Sequence, residues 1–453
     1  MTVYGVPQRH SKVTINKALC FKLRQKTWLK QKQIKETMMF KKTLLAVALG
    51  GTIVASAQAG QVEVMHWWTS GGEAKSIAVL KGMVEDAGHT WKDFAVAGGG
   101  GENAMTVLRS RAVSGNAPAS AQIKGLEIQE WGDLGFLADL TPVAEAQNWE
   151  TVLPSVVSDV MKHEGKYVAA PVNVHRVNWM WANKSVFDDN GLEVPTSLKE
   201  LWKVSDTLKA KGITPIAHGG QPWQDTTTFE SIVLSLGGAD FFAKAFVEHD
   251  VKTLESKTMK TAFDEFRKVK GYIDKGAPGR DWNVATSMVI KGEAAMQFMG
   301  DWAKGEFTAA NKKPGVDYYC VPFPGTDGEF TFNIDSLAMF KQNNAENEKA
   351  QMKMAELVVS PKFQETFNLN KGSIPVRLDQ DMSPFDACAL AAMDTFKSTA
   401  KSGKGLVPSM AHGMSTTSAI GGAIADVVTD FFNSDMTSDE AVLKLSRAIR
   451  ANQ

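Results

Sequence analysis

Cysteine is scarce in this 453-residue chain, which contains only Cys20, Cys320 and Cys388. No two of them are spaced as Cys-x-x-Cys, so the sequence offers neither a cysteine-based zinc site nor a thioredoxin-like redox pair. None of the eight histidines stands in a His-Glu-x-x-His or other metal-ligand spacing. We therefore predict that the protein holds no metal.

The local motifs of several enzyme classes are also absent. The chain has no Gly-x-x-x-x-Gly-Lys-[Ser/Thr] phosphate loop and no Gly-x-Ser-x-Gly nucleophile turn. Gly99-x-Gly101-x-x-Ala104 matches a loosened dinucleotide fingerprint, but it follows the second predicted strand and not the first. A loop whose backbone approaches a ligand is the better interpretation, with a plain flexible turn as the alternative. We predict no cofactor.

Net charge is close to nil only because two parts of the chain cancel. The sequence has 50 basic and 50 acidic residues, yet residues 1–59 hold eleven basic residues and one acidic residue. The remainder therefore carries 39 basic and 49 acidic residues. Such an acidic body is repelled by a phosphate backbone, so we predict no nucleic-acid partner.

Long apolar runs are missing as well, and the one near the N-terminus has another explanation. Residues 39–59 read as a basic start, an apolar run over 43–54 and a small-residue cleavage site. The run is shorter than the about 20 residues that span a bilayer. We predict a signal peptide and an exported protein that is not embedded in the membrane. A buried core helix is the alternative interpretation.

The 37 residues before Met38 are basic and unpatterned. Because a secretory signal normally opens a chain, we predict that translation starts at Met38 or Met39, with an unusually long basic region from Met1 as the alternative. Export leaves Cys320 and Cys388 in an oxidising compartment, where we expect a disulfide. Two buried free thiols are the alternative.

The exported part is long enough for two lobes, and its hydrophobic pattern alternates between strands and helices. This order predicts an α/β fold with a parallel sheet and helices on both faces. Ser197 and Glu200 form a capping box at the start of a further helix. The other predicted elements are strands over 62–67, 94–97, 122–125 and 213–218 and helices over 75–87, 102–114 and 259–273.

Tryptophan is what the sequence has in excess. Of 12 tryptophans, 11 follow residue 59, where there are only four tyrosines. Trp67 and Trp68 stand together at the end of the first predicted strand, and adjacent strand residues point to opposite faces, so one of them must leave the core. Flat aromatic rings and nearby polar groups such as Glu73 suit the apolar faces and the hydroxyls of a sugar. A core role is the alternative for any single tryptophan.

Several segments together resemble a known family, the extracellular solute-binding proteins of sugar ABC transporters. They are Glu164-Gly-Lys-Tyr-Val-Ala-Ala-Pro-Val-Asn173, Val194-Pro-Thr-Ser-Leu-Lys-Glu-Leu-Trp202 and Lys291-Gly-Glu-Ala-Ala-Met-Gln-Phe-Met-Gly-Asp-Trp302. Within that family, further segments are similar to the bacterial periplasmic glucose/mannose-binding proteins. These are Val64–Gly72, His218–Asp225, Asn333–Ser336 and Asn370–Pro375.

The resemblance implies a two-lobed periplasmic-binding-protein fold with the ligand cleft between discontinuous lobes. Lobe 1 would comprise residues 60–171 and about 334–378, and lobe 2 residues 172–333 and about 379–453. In the cleft, Trp68 and Trp302 would stack on the two faces of a sugar, in an open site that keeps these side chains hydrated.

The other site residues implied by the resemblance are polar groups and wall residues. Glu73, Lys124, Asn333, Asp335, Lys371 and His412 would bind hydroxyls, and Trp67 and Trp282 would form walls. His175, Trp223 and Gln224 stand in matching motifs and are further candidates.

The function implied is binding and not catalysis. The protein would bind a monosaccharide, most readily glucose and with mannose or galactose as alternatives, in the periplasm. It would act as a monomer that delivers the sugar to the membrane permease of an ABC importer. An exported glycoside hydrolase that uses two carboxylates is the alternative, since such carboxylates leave no local motif.

Overall fold

A computed structural model describes residues 59–453 of the chain. The predicted signal peptide, the alternative start sites and Cys20 lie outside this range. Within it, no helix combines the length and the apolar character needed to cross a bilayer.

Strands and helices alternate along the described residues. The strands are β1 (Gln61–His66), β2 (Thr90–Ala95), β3 (Ser120–Lys124), β4 (Lys162–His163), β5 (Lys166–Tyr167), β6 (Ala169–Arg176), β7 (Trp179–Asn183), β8 (Thr214–Ile216), β9 (Ala294–Phe298), β10 (Tyr318–Pro322), β11 (Phe330–Met339) and β12 (Leu406–Pro408).

The helices before residue 250 are α1 (Gly71–Asp86), α2 (Glu102–Val113), α3 (Glu127–Asp133), α4 (Thr141–Ala146), α5 (Trp149–Val152), α6 (Ser155–Val160), α7 (Lys184–Asp189), α8 (Leu198–Ala210) and α9 (Pro222–Phe246). Those after it are α10 (Val251–Leu254), α11 (Lys257–Val269), α12 (Trp282–Lys291), α13 (Ala303–Ala309), α14 (Ala345–Val358), α15 (Pro361–Lys371), α16 (Ala387–Ser402), α17 (Ser418–Asn433) and α18 (Ser438–Ala451).

The larger sheet has the strand order β12-β11-β3-β1-β2, and β6 also pairs with β11. Strands β1, β2 and β3 are parallel to one another, as predicted. The prediction of a parallel sheet is nevertheless wrong for the whole, because β11 runs antiparallel to β3 and β6. The sheet is therefore mixed.

A second sheet, with the order β10-β7-β9-β8, belongs to the other lobe. The chain passes between the sheets from β6 to β7 and again from β10 to β11. Asn178, between β6 and β7, ties the two crossings together: its amide nitrogen donates to Thr326 Oγ1 at 2.9 Å, and its carbonyl oxygen accepts the Thr331 N–H at 3.0 Å. The structure thus has the predicted α/β architecture with two lobes, and the exact lobe boundaries stay a prediction.

Local sequence signals explain several helix ends. Ser197 caps α8, since its hydroxyl accepts the Glu200 N–H at 3.3 Å, as predicted. Helix α11 buries one face through Met259, Phe263 and Phe266. Helix α1 begins at Gly71 and not at residue 75, because Glu73 in its first turn accepts backbone N–H groups of the preceding residues.

Two hydrophobic cores stabilise the lobes. The first packs around the larger sheet and includes Val64, Ile123 and Leu337. The second is rich in phenylalanine and brings Phe229 and Phe263 to 4.5 Å between ring centroids. The first core also takes in Trp181 and Tyr318 of the second sheet, so the packing is continuous from one sheet to the other.

Cys320 and Cys388 form the predicted disulfide, with Cα atoms 6.1 Å apart. The bond joins β10 of the second sheet to α16, and 68 residues separate its ends. It therefore closes a long loop in the unfolded chain.

Replacing both cysteines by alanine should lower the free energy of unfolding by about 4 kcal/mol, the loop-closure contribution for a loop of this length. Denaturant unfolding of the exported protein and of the double variant measures the difference. Two alkylatable thiols in unreduced, denatured protein would show that the bond does not form.

Candidate functional site

One cavity brings together the site residues that the resemblance implied. It is lined by all ten of them, Trp67, Trp68, Glu73, Lys124, Trp282, Trp302, Asn333, Asp335, Lys371 and His412, and by His175, Trp223 and Gly100. The lining includes Trp67 and Trp68 after β1, Lys124 at the end of β3, His175 on β6, Asn333 and Asp335 on β11, and His412 after β12. Segments distant in sequence thus converge at one place, although what these side chains bind remains a prediction.

Glu73 and Lys371 form a buried ion pair at one end of the cavity. Lys371 Nζ donates to Glu73 Oε1 at 2.5 Å, while Glu73 Oε2 accepts the N–H groups of Thr69 and Ser70. Lys371 ends α15 because Gly372 adopts a positive φ of 93°, where an added Cβ would lie 2.3 Å from the Asp301 carbonyl oxygen. Helix α15 is therefore fixed against the segment that carries Trp302.

His175 lies between two buried carboxylates. Its Nδ1 contacts Asp301, and its Nε2 lies 3.0 Å from Asp335 Oδ2. Burial alone would lower the pKa of His175, but Asp301 and Asp335 outweigh it and raise this pKa. Burial would raise the pKa of Asp335, yet His175, Lys371 and Lys124 lower it. The three groups therefore form an Asp–His–Asp chain that fixes Asp335.

The pKa values of Lys124 and His412 are lowered, in contrast to that of His175. Burial lowers the pKa of Lys124, and Asp335 opposes this shift. Burial, Lys124 and His175 together hold the pKa of His412 well below its usual value, so His412 is neutral at pH 7. Over residues 59–453, no three His, Cys, Asp or Glu side chains are arranged to hold a metal ion.

The aromatic walls depend on the glycine-rich turn after β2. A Cβ on Gly100 would lie 2.9 Å from the Trp223 ring, and one on Gly101 would lie 3.0 Å from the Trp67 ring. Both glycines also have positive φ. The turn is therefore not a plain flexible loop, because its backbone packs directly against two tryptophans of the cavity.

Three fully buried polar atoms of the lining side chains have no hydrogen-bond partner within residues 59–453. They are Trp68 Nε1, Trp302 Nε1 and Asn333 Oδ1, which are two donors and one acceptor. A buried polar atom without a partner costs about 1–3 kcal/mol, so such atoms call for an explanation. A ligand with hydroxyl groups could pair with all three.

The lining differs from the expectation in being buried. Trp68, Trp302 and Asp335 are only 1%, 6% and 4% exposed, so these side chains are not hydrated as predicted. Trp68 also packs edge-to-face on Phe367 of the first core, so it serves the core and the site together.

Of the three further candidates, two line the cavity and one does not. His175 and Trp223 line the cavity, whereas Gln224 bonds instead to Gln221 and to the Arg280 carbonyl oxygen. Asp301, which contacts His175, was not predicted as a site residue from the sequence. It directly precedes Trp302 in the segment Lys291–Trp302, one of the segments that carry the family resemblance.

A wider pocket adjoins the cavity. The cavity has a volume of about 40 Å³, while the neighbouring pocket measures about 670 Å³. The two share Trp67, Gly100, Lys124, Trp223 and His412 as lining residues. Glu102 and Glu127 line the wider pocket, and burial raises the pKa of both.

Comparisons with known proteins agree with this architecture. Residues 72–365 match the family of bacterial extracellular solute-binding proteins. A probable sugar-binding periplasmic protein of Brucella melitensis is 49% identical over 407 residues, which cover 90% of this chain and 96% of that protein. The chain belongs to this family of solute-binding proteins, whose members are not enzymes.

Two solved structures share the fold at low identity. A chitin oligosaccharide binding protein matches with a TM-score of 0.74 and 18% identity, covering 87% of this chain and 99% of that one. The solute receptor AcbH, described as preferring β-D-galactopyranose, matches with a TM-score of 0.72 and 19% identity, covering 86% and 98%. These likenesses confirm the two-lobed fold.

The Asp–His–Asp chain predicts how stability depends on pH. Because folding raises the pKa of His175, its stabilisation is complete below the unfolded pKa of about 6.5 and is lost as pH rises through the folded pKa. The free energy of unfolding should therefore fall above about pH 6.5, by about 1.4 kcal/mol for each unit of pKa difference.

Denaturant unfolding between pH 6 and pH 9 measures this slope. His175→Gln should reduce it, whereas His249→Gln should not, since burial lowers the pKa of that distant histidine. An unchanged slope in His175→Gln would show that His175 is neutral in the folded protein.

Proposed function

We propose that this protein is the exported substrate-binding component of a carbohydrate ABC importer and that it binds a monosaccharide, most readily glucose, in the cavity. The observation that carries the proposal is the lining itself, which combines five tryptophans with a ring of charged and amide groups. Aromatic faces suit the C–H faces of a sugar ring, and the polar ring suits its hydroxyls.

The charges of the lining favour a neutral ligand. Lys371 pairs with Glu73, and protonated His175 lies between Asp335 and Asp301, which stands behind the lining. Lys124 lies near Asp335, which opposes the lowering of its pKa by burial, and His412 is neutral. The carboxylates of the lining therefore already have cationic partners. A charged ligand would bring an unpaired charge into a buried site, which costs several kcal/mol. A sugar brings none.

The size of the cavity favours one sugar ring. A volume of about 40 Å³ corresponds to about three water molecules, each of which needs about 10–15 Å³ measured in this way. A single ring is the largest ligand we would place there, with a slight widening of the walls. Because the wider pocket adjoins the cavity, a longer oligosaccharide that extends into it is the second candidate.

The name of the Brucella relative supports a sugar ligand and a periplasmic location for this chain. Binding between two lobes would let the closed protein present both lobes to the membrane permease. We propose that it acts as a monomer, released into the periplasm by the signal peptide that precedes the described residues.

Calorimetric titration should show that the protein binds glucose and that Trp302→Phe weakens this binding about fivefold to tenfold. The phenylalanine keeps an aromatic face but removes the unpaired indole N–H, and one hydrogen bond contributes about 1 kcal/mol. Maltose should bind far more weakly than glucose, because a second ring does not fit the cavity.

Trp149→Phe is the matched control, since this buried tryptophan donates to Gln147 outside the cavity. It should lower stability and leave glucose affinity unchanged. Maltose binding as tight as glucose binding would contradict the monosaccharide assignment and favour the oligosaccharide.

A further inference from the structure

A carboxylate outside the cavity has an unusual environment. Glu230 lies in the middle of α9 and is fully buried. Within residues 59–453 it forms no ion pair, although a buried charge normally needs one. Burial raises its pKa to about 7, in spite of three hydrogen bonds that favour the ionised form. Such a costly group calls for a function.

All three hydrogen bonds go to the segment that follows β12. Glu230 Oε1 accepts from Ser409 Oγ at 2.7 Å, and Oε2 accepts the N–H groups of Met410 at 2.8 Å and Ala411 at 3.1 Å. The next residue is His412, which lines the cavity. One carboxylate thus fixes the three residues that lead into a cavity residue.

The same segment is also tied to both sides of the cavity. The Ser409 N–H donates to the Phe332 carbonyl oxygen at 2.9 Å, next to Asn333. The Leu126 N–H donates to the Gly413 carbonyl oxygen at 3.1 Å, two residues after Lys124. Movement of this segment would therefore disturb several parts of the lining.

The hydrogen bonds around His412 define its tautomer. The Thr227 hydroxyl donates to the Trp223 carbonyl oxygen, because two oxygens 2.8 Å apart need a proton between them. Thr227 Oγ1 must then accept from His412 Nε2, which lies 3.2 Å away. The ring is neutral, so Nδ1 carries no proton and is an acceptor. Thr227 stands three residues before Glu230, on the same helix.

We propose that Glu230 is a positioning residue of the sugar site. Its carboxylate fixes the backbone of residues 409–411, and this keeps the His412 ring between Thr227 and Trp302 with Nδ1 ready to accept a ligand hydroxyl. The ring centroids of His412 and Trp302 are 5.0 Å apart, so a displaced segment would also loosen one stacking wall. The inference rests on the proposed sugar-binding function.

A double-mutant cycle tests whether Glu230 acts through His412. Glu230→Ala should weaken glucose affinity about fivefold to tenfold, the loss expected when one hydrogen bond to the ligand fails. The same change in a His412→Ala background should alter affinity less than about twofold. An equal loss in both backgrounds would overturn the inference, because Glu230 would then act on the site in general.

Glu230→Gln keeps the test decisive if the alanine variant fails to fold. The amide oxygen still accepts the two backbone N–H groups, and its nitrogen donates to Ser409 Oγ, so affinity should stay within about threefold of the parent. A Gln variant that folds but loses affinity as much as alanine would contradict positioning by these hydrogen bonds. Phe246→Leu, at the far end of α9, controls for a mere loss of stability.

Nitrogen NMR of His412 separates this inference from the proposed function. In the unliganded protein, His412 should show a protonated Nε2 and an unprotonated Nδ1, and Glu230→Ala should mix the tautomers while Glu230→Gln should not. A parent that binds no sugar but shows the expected His412 tautomer, mixed only in Glu230→Ala, would defeat the proposed function and leave the control of His412 by Glu230 standing. An unchanged His412 spectrum in Glu230→Ala would defeat the inference alone.

Discussion

Ionic groups buried between the two sheets determine how several segments of the structure are placed relative to one another. His175 on β6 bridges Asp301, just before α13, and Asp335 on β11. Removing charges from water costs several kcal/mol for each ion, so a partner of opposite charge must stand at hydrogen-bond distance. That requirement fixes β6, β11 and the α13 segment relative to one another. Trp302, which follows Asp301 directly, is thereby placed against the cavity.

Neighbouring contacts extend this arrangement to the other walls. Asp335 stands opposite Lys124 in the register of β11 and β3, so the central carboxylate also positions the lysine at the end of β3. Lys371 reaches Glu73 from α15, and Gly372 lets that helix end against the Asp301 backbone. Ion pairs and hydrogen bonds within the protein therefore hold these side chains in place. Binding then costs less side-chain entropy than it would in a loose cleft.

The sequence was most informative where local patterns decide the outcome. Ser197 begins α8 as predicted, because a cap needs only its neighbours. The ten cavity residues were predicted from the family resemblance and not from periodicity, since segments as distant as those of Trp67 and His412 share no local pattern. The mixed sheet was missed because the direction of β11 depends on the second crossing between the lobes.

The role of Glu230 depends on contacts about 180 residues away along the chain, which no local pattern shows. The burial of Trp68 was missed for a related reason, since Phe367, its partner in the core, comes from α15.

Charge balance is the property of the site that most directly decides its ligand, and a titration with glucose and glucuronate measures it. Glucuronate keeps the sugar ring but carries one carboxylate. A site whose buried charged groups already have partners of opposite charge predicts that glucose binds and that glucuronate binds about a hundredfold more weakly at pH 7, because the added buried charge has no partner. Glucuronate binding as tight as glucose binding would contradict a charge-balanced site for a neutral sugar.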